Sequence, residues 1–386
     1  MQMRFGTGIL HQNYADWERF EALERGEAVG PMTTGDAEVM RESLALGELV
    51  EPLGFDTLWG FEQHAMPYIM MPDPTQYLTY WAGRTRRIDL GSMITVLPWH
   101  NPIRVAEQIA MLQHFLGPER TYYLGVGRGL ARRNFDAMGV SMDDSRERFV
   151  EVLEVVRLAL TEEMFSFQGK FFEYENVSVR PRPLDPTVIT EAWGSWTSEA
   201  SVRTMGEHGL NPLTTPNKTI ESYKEEVALL DRVRAEHGFG PARRPILQVP
   251  LLCARSEAEA QETAERHIRE YVDSILRAYE LGTDNFGKGK GYEQYKKGSD
   301  FGDGSYADAL ETLTTKFLND GIIGTPAQCA EKVVAHHEVI EPSEFVVLCG
   351  TGGIPAEQTE ASLRLYAEEV LPRVAHLRDA EPAGAR

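Results

Sequence analysis

The sequence predicts an α/β fold, a (β/α)₈ TIM barrel with insertions, and three observations predict it. Strand-like and helix-like patterns alternate from end to end, which favours a parallel sheet covered by helices. Eight strand-like runs can be traced, each followed by helical sequence. The residues best suited to chemistry fall just after the second to fifth of these runs, where such barrels place their sites.

The first strand is Arg4–Leu10, followed by an unusually long connection from His11 to Gly35, which reads as a lid or pocket wall. Asp36–Leu53 has helical periodicity, with Asp36 as N-cap and Gly54 as a stop. Phe55–Phe61 is strand two, Pro74–Arg86 a helix, and Ile88–Leu97 strand three. Asn101-Pro102 opens a helix to about Phe115, with proline in its first turn. Thr121–Val126 is strand four and Ser145–Leu160 the helix after it. Phe165–Val179 reads as a hairpin insertion. Val188–Trp193, Leu210–Thr214 and Ile246–Ala254 are strands five, six and seven, separated by helices over Ser198–His208 and Ile220–His237. A helix over Glu257–Leu281 leads to a glycine- and lysine-rich stretch, Gly282 to Gly304. Helices over Tyr306–Leu318 and Pro326–Val339, strand eight at Phe345–Leu348 and a closing helix over Glu357–Val370 complete a single domain, 1–376. Residues 377–386 read as a flexible tail.

A chain of 386 residues is long enough for one large domain. Its formal charge of −20 argues against nucleic acid and anionic membranes as partners. An anionic cofactor would therefore need a local basic pocket. The three cysteines, Cys253, Cys329 and Cys349, show no metal or redox spacing and suit a reducing compartment. The chain begins directly with a strand-like run, with neither a signal-like segment nor an apolar run of membrane-spanning length. A cytoplasmic protein is expected.

Tyr122, Leu124 and Val126 alternate up to Gly125, Gly127 and Gly129, which surround Arg128. Clustered glycines leave backbone open to a flat or phosphorylated ligand, and arginine offers a fork to an anion. Arg146 lies at the positive end of the following helix. Taken alone, these residues read equally as a glycine-rich surface loop with solvated arginines. Glu62-Gln63-His64 ends strand two, and His64 can serve as general acid or base, or be held by Glu62 for structural reasons. Pro98-Trp99-His100-Asn101 ends strand three. Gly194, Ser195, Thr197 and Ser198 end strand five, where small hydroxyls at a helix start can cap it or cradle a phosphate. Met66, Tyr68, Trp99 and His100 would line an apolar, adaptable substrate pocket if they face the mouth, and methionine and aromatic residues equally suit a core.

The run Gly125-Val126-Gly127-Arg128-Gly129-Leu130, followed by Phe135, Gly139 and Met142-Asp143-Asp144-Ser145-Arg146, resembles the flavin-binding segment of bacterial luciferase-like monooxygenases. The resemblance is to the alkanal monooxygenase alpha-chain type and extends from Arg4 to Val374. It implies that Arg128, Arg146, Gly127 and the Gly194/Ser195/Thr197/Ser198 group hold the phosphate of reduced FMN. It also implies that Met93 and Ile94 lie against one face of the isoalloxazine ring, with a strained peptide bond between them. Without it, an ordinary apolar strand accounts for both residues. Lys288–Gly298 resembles a lid that excludes water from oxygen chemistry.

The family pattern has Glu-His-His where this chain has Glu62-Gln63-His64, so the histidine tied to light emission is replaced by Gln63. That departure speaks against aldehyde-dependent light emission and leaves other oxygen chemistry open. The resemblance implies oxygen addition at the flavin C4a carbon, then hydroxylation or Baeyer–Villiger oxidation of an apolar organic substrate. It further implies a separate NAD(P)H:flavin reductase and a homodimer. Two alternatives share the barrel: an F420-dependent oxidoreductase, and a non-catalytic partner subunit resembling the luciferase beta chain.

Overall fold

Strands buried on both faces read as unbroken apolar runs, and Ile246–Cys253 and Glu344–Cys349 are buried along their whole length. They belong to a computed structural model that describes residues 3–215, 218–281, 292 and 305–378. In chain order the strands are β1 (Arg4–Ile9), β2 (Thr57–Gly60), β3 (Asp89–Ser92), β4 (Thr95–Val96), β5 (Tyr122–Tyr123) and β6 (Gly125–Gly127). They continue as β7 (Phe165–Gln168), β8 (Glu173–Val177), β9 (Trp193–Ser195), β10 (Asn211–Leu213), β11 (Ile246–Cys253), β12 (Ile322–Gly324) and β13 (Glu344–Cys349).

The pairings close a parallel ring. β1 lies between β13 and β2, β2 pairs with β3, and β3 pairs with β5. β4 pairs with β6, and β6 with β9. β9, β10, β11 and β13 then follow side by side. β3 and β4 are two halves of one stave, as are β5 and β6, so eight staves form the barrel expected from the alternation. The expected hairpin at Phe165–Val179 is the antiparallel pair β7–β8, outside the ring.

Several elements differ from the sequence reading. Strand three, expected as one run, is split into β3 and β4 at Met93–Ile94, where the resemblance implies an irregular peptide bond and the bond is cis. The expected strand at Val188–Trp193 is instead one helical turn, Thr187–Thr190, followed by β9. Asp185 causes this: its Oδ1 accepts from the Thr187 amide at 2.8 Å and starts the turn just after Pro186. The long first connection contains a helix, Trp17–Glu24, and the segment between Arg128 and Ser145 contains another, Arg132–Met138. Asp36 is the first residue of its helix, which runs to Gly47 with Gly35 as N-cap. β12 pairs with the end of β11, beside the ring.

At the N-terminal ends of the strands, Arg4 contacts Asp89 at 2.8 Å and Glu344 at 3.5 Å. The Trp59 indole donates to Glu344 Oε1 at 2.8 Å. These contacts tie β13, β1, β2 and β3 together at the end opposite the site. Among the described residues, no helix is long and apolar enough to cross a membrane.

Candidate active site

At the C-terminal ends of the staves, one cavity of about 210 Å³ opens between β2, β4, β6 and β9. Glu62, Gln63, Tyr68, Met93, Ile94, Trp99, Arg128, Ser195 and Thr197 line it, so arginine and hydroxyls face one space. His64, Met66, His100, Gly127, Arg146, Gly194 and Ser198 do not line it. Each of these has another position with a physical reason.

Ser198 caps the helix Glu199–Glu207, its Oγ accepting from the Ser201 amide at 3.3 Å. Ser201 in the first turn lines the cavity, and a helix start with N–H groups left over is the usual setting for an anion. Arg146 reaches the same helix from outside, donating to the Ala200 carbonyl at 3.1 Å and the Thr204 hydroxyl at 3.3 Å. Gly194 serves packing, since a Cβ there would sit 2.7 Å from the Met205 sulfur. At Gly127 the space for a side chain is already filled, with the Ile94 Cδ1 2.1 Å from a built Cβ. Gly129 has φ +82°, and a Cβ would meet Val96 at 2.8 Å and Trp99 at 2.9 Å. Only glycine suits that turn. Arg128 is buried there, its guanidinium carbon 4.0 Å from the centre of the Tyr292 ring.

The carboxylate of Glu62 is enclosed and accepts three hydrogen bonds. His64 Nε2 lies 3.0 Å and His100 Nε2 2.6 Å from Oε1, and the Val96 amide donates to Oε2 at 2.7 Å. Burial pushes the Glu62 carboxyl up, but the hydrogen bonds from His100, His64 and Val96 outweigh it and hold the group below the usual carboxylate range. Burial pulls His100 down, and its contact with Glu62 more than offsets this, leaving its pKa raised. His64 lies edge-on to Trp99, with ring centres 5.2 Å apart. Both imidazoles thus stand behind a carboxylate that reaches the cavity wall. Gln63 is fixed at both ends of its amide: it accepts from Asn134 at 2.8 Å and donates to the Tyr279 hydroxyl at 2.8 Å.

The opposite wall comes from helices Glu257–Ala278 and Tyr306–Asp320, which present Tyr271, Ile275, Leu313 and Phe317, with Tyr279 just past the first helix. Tyr68 stacks on Tyr271 with centres 6.3 Å apart and meets Tyr279 edge-on at 5.7 Å. Burial drives the Tyr68 hydroxyl well above its ordinary range. Met66 is buried in the core. The sequence alone does not single out Ser201, Tyr271, Tyr279 or Tyr292. Ser201 stands three residues past the cap, and Tyr271, Ile275 and Tyr279 follow each other at helical spacing; these were the available signals. The expected lid, Lys288–Gly298, lies outside the described residues except for Tyr292.

A flat group with a phosphorylated tail suits these residues. Arg128 and the side chains of Ser195, Thr197 and Ser201 border the same cavity as Met93, Ile94 and the apolar side chains of the helical wall. The sequence profile described as luciferase-like monooxygenase matches residues 24–340. The alkanal monooxygenase alpha chain of Photorhabdus luminescens is 23% identical over 351 residues, 89% of this chain and 93% of the relative. Among solved structures, the monooxygenase RslO1 from Streptomyces bottropensis has a TM-score of 0.74 at 21% identity, covering 96% of this chain and 99% of its own. The oxygenating constituent of 3,6-diketocamphane monooxygenase from Pseudomonas putida, a type II Baeyer–Villiger enzyme in complex with FMN, has a TM-score of 0.66 at 20% identity over 96% and 99%. An F420-dependent secondary alcohol dehydrogenase has a TM-score of 0.68 at 14% identity over 97% and 99%.

Proposed function

The chain belongs to the luciferase-like monooxygenase family, and from that premise we propose that it binds reduced FMN at this mouth and oxidises an apolar organic substrate with O₂, by hydroxylation or Baeyer–Villiger insertion. The observation that carries the reading is that Arg128, Ser195 and Thr197 line one cavity together with Met93, Ile94 and an apolar wall of Ile275, Leu313 and Phe317. A separate NAD(P)H:flavin reductase supplying the cofactor, and a homodimer as the working form, follow from the family resemblance.

When bound, reduced FMN supplies the electron pair that lets one oxygen atom enter the substrate while the other leaves as water. The chain's part is to hold, enclose and manage protons. Arg128 neutralises the phosphate, and Ser195, Thr197, Ser201 and the helix start complete its shell. Met93 and Ile94 support the ring. Tyr68, Tyr271, Ile275 and Phe317 keep the reacting space apolar and dry, which protects oxygen chemistry from water. Gln63 cannot titrate, so proton storage falls to His64 and His100 on the Glu62 carboxylate.

The test is oxygen consumption with reduced FMN across ketones, aldehydes and aromatic compounds, with parallel titration of FMN and F420. Substrate-dependent oxygen uptake with product carrying one added oxygen supports the reading. Tight F420 binding with hydride transfer and no oxygen uptake replaces it with the deazaflavin reading, and failure to bind either cofactor at micromolar levels favours a non-catalytic subunit. Arg128→Ala is expected to weaken FMN binding at least about tenfold, the worth of one charge-assisted contact. Unchanged affinity would remove Arg128 from the cofactor's hold.

A further inference from the structure

Tyr292 is wholly buried, although the sequence around it is glycine, lysine and glutamate. Its contacts account for this. The hydroxyl donates to the Gly129 carbonyl at 3.0 Å and lies 3.1 Å from the Ser145 hydroxyl. Its ring carries the Arg128 guanidinium, whose central carbon is 4.0 Å from the ring centre. One side chain therefore touches three parts of the anion end: the turn that Gly129 makes, the first residue of the helix Ser145–Thr161, and the arginine itself.

The physical consequence lies in the orientation of Arg128. A guanidinium donates in its own plane, and a long, flexible side chain must lose rotamer freedom before it can grip a phosphate. A ring packed against the cation removes part of that freedom before any ligand arrives, and the electrostatic attraction is strongest where water is excluded. The hydroxyl does the same for the backbone. By bridging Gly129 and Ser145, it keeps the glycine turn at a set distance from the helix start beside Arg146.

We infer that Tyr292 is a positioning residue for the phosphate end of the site, holding Arg128 so that the cavity prefers a phosphorylated flavin to its dephosphorylated form. This rests on the reading that Arg128 binds the FMN phosphate. It gives Tyr292 a role that the resemblance of its stretch to a lid does not imply.

Equilibrium binding of oxidised FMN and of riboflavin to the full chain tests it, using wild type, Tyr292→Phe, Tyr292→Leu, Arg128→Ala and the Tyr292→Leu/Arg128→Ala pair. Riboflavin lacks only the phosphate, so the ratio of the two affinities isolates that end. Tyr292→Leu is expected to narrow the preference for FMN by about tenfold, the scale of a desolvated cation–π contact, with riboflavin affinity unchanged within about twofold. Tyr292→Phe keeps the ring and should lose only a few-fold, about the worth of one neutral hydrogen bond. The double variant should be no weaker for FMN than Arg128→Ala alone, because the two residues act as a unit. An unchanged ratio in Tyr292→Leu, or an equal loss for both flavins, overturns the role of Tyr292. Should Tyr292→Leu fail to fold, a Tyr292→Phe ratio equal to wild type together with a weaker double variant built on Phe overturns it. No preference for FMN in wild type overturns the phosphate reading itself, and with it this inference.

Discussion

Glu62 holds two imidazoles on one carboxylate oxygen, and that arrangement assigns roles at the mouth. With His100 at 2.6 Å, His64 at 3.0 Å and the Val96 amide at 2.7 Å, hydrogen bonds outweigh the burial of the carboxylate and favour its ionised form. The neighbouring Gln63 is pinned between Asn134 and Tyr279 and carries no titratable proton. Removing one imidazole should therefore affect proton handling and leave the phosphate end alone. His64→Ala is expected to slow substrate oxidation about a hundredfold, within the usual range for a lost acid–base group, with FMN affinity within about twofold. Stopped-flow turnover beside flavin titration separates the two. A parallel loss of affinity would show His64 to be part of the cofactor's support.

At the scale of elements, the anion end depends on a helix start, and its cap is open to measurement. Ser198 accepts the Ser201 amide and orients the first turn of Glu199–Glu207. Ser198→Ala is expected to lower the free energy of unfolding by about 1 kcal/mol, and to weaken FMN less than Arg128→Ala does. Chemical denaturation and flavin titration of the two variants check the order, and a larger loss of FMN affinity in Ser198→Ala would place the phosphate on the serine hydroxyl itself. Much of this element was legible beforehand, because serine, threonine and glutamate before an apolar run mark a helix start whatever the fold. The eight staves were legible for a similar reason, since runs such as Phe345–Leu348 are apolar throughout. The irregular bond at Met93–Ile94 was legible only through the family resemblance, because both residues by themselves suit an ordinary strand. Val188 and Ile189 misled likewise, their apolar character serving a buried helical turn that Asp185 starts. The wall formed by Tyr271, Ile275 and Phe317 could not be told from core, since the same stripe packs equally well against a side chain or a ligand.

At the scale of the whole molecule, chemistry and closure occupy opposite ends of the barrel, and the closure end has its own pH dependence. Glu344 is fully buried at the start of β13, where burial pushes its carboxyl up to about 7 against the pull of Arg4 and Trp59. Arg4 stands nearer to Asp89, at 2.8 Å, than to Glu344, at 3.5 Å, so the ionised Glu344 is poorly compensated. The sign follows from a folded pKa above the unfolded value of 4.5. The folded chain binds the proton more tightly, so the stabilisation is full below about pH 4.5 and is lost as pH rises to about 7. The span between those values corresponds to about 3 kcal/mol. Glu344→Gln keeps an acceptor for the Trp59 indole and removes the charge. Relative to wild type it should gain stability as pH rises from about 4.5 to about 7 and level off above that, by about that amount in all. Denaturant melts of both proteins across this range measure the difference, which cancels the other carboxylates they share. A difference that stays flat with pH would mean that Arg4 compensates Glu344 fully, and that the ring is closed at β13 and β1 by an ion pair after all.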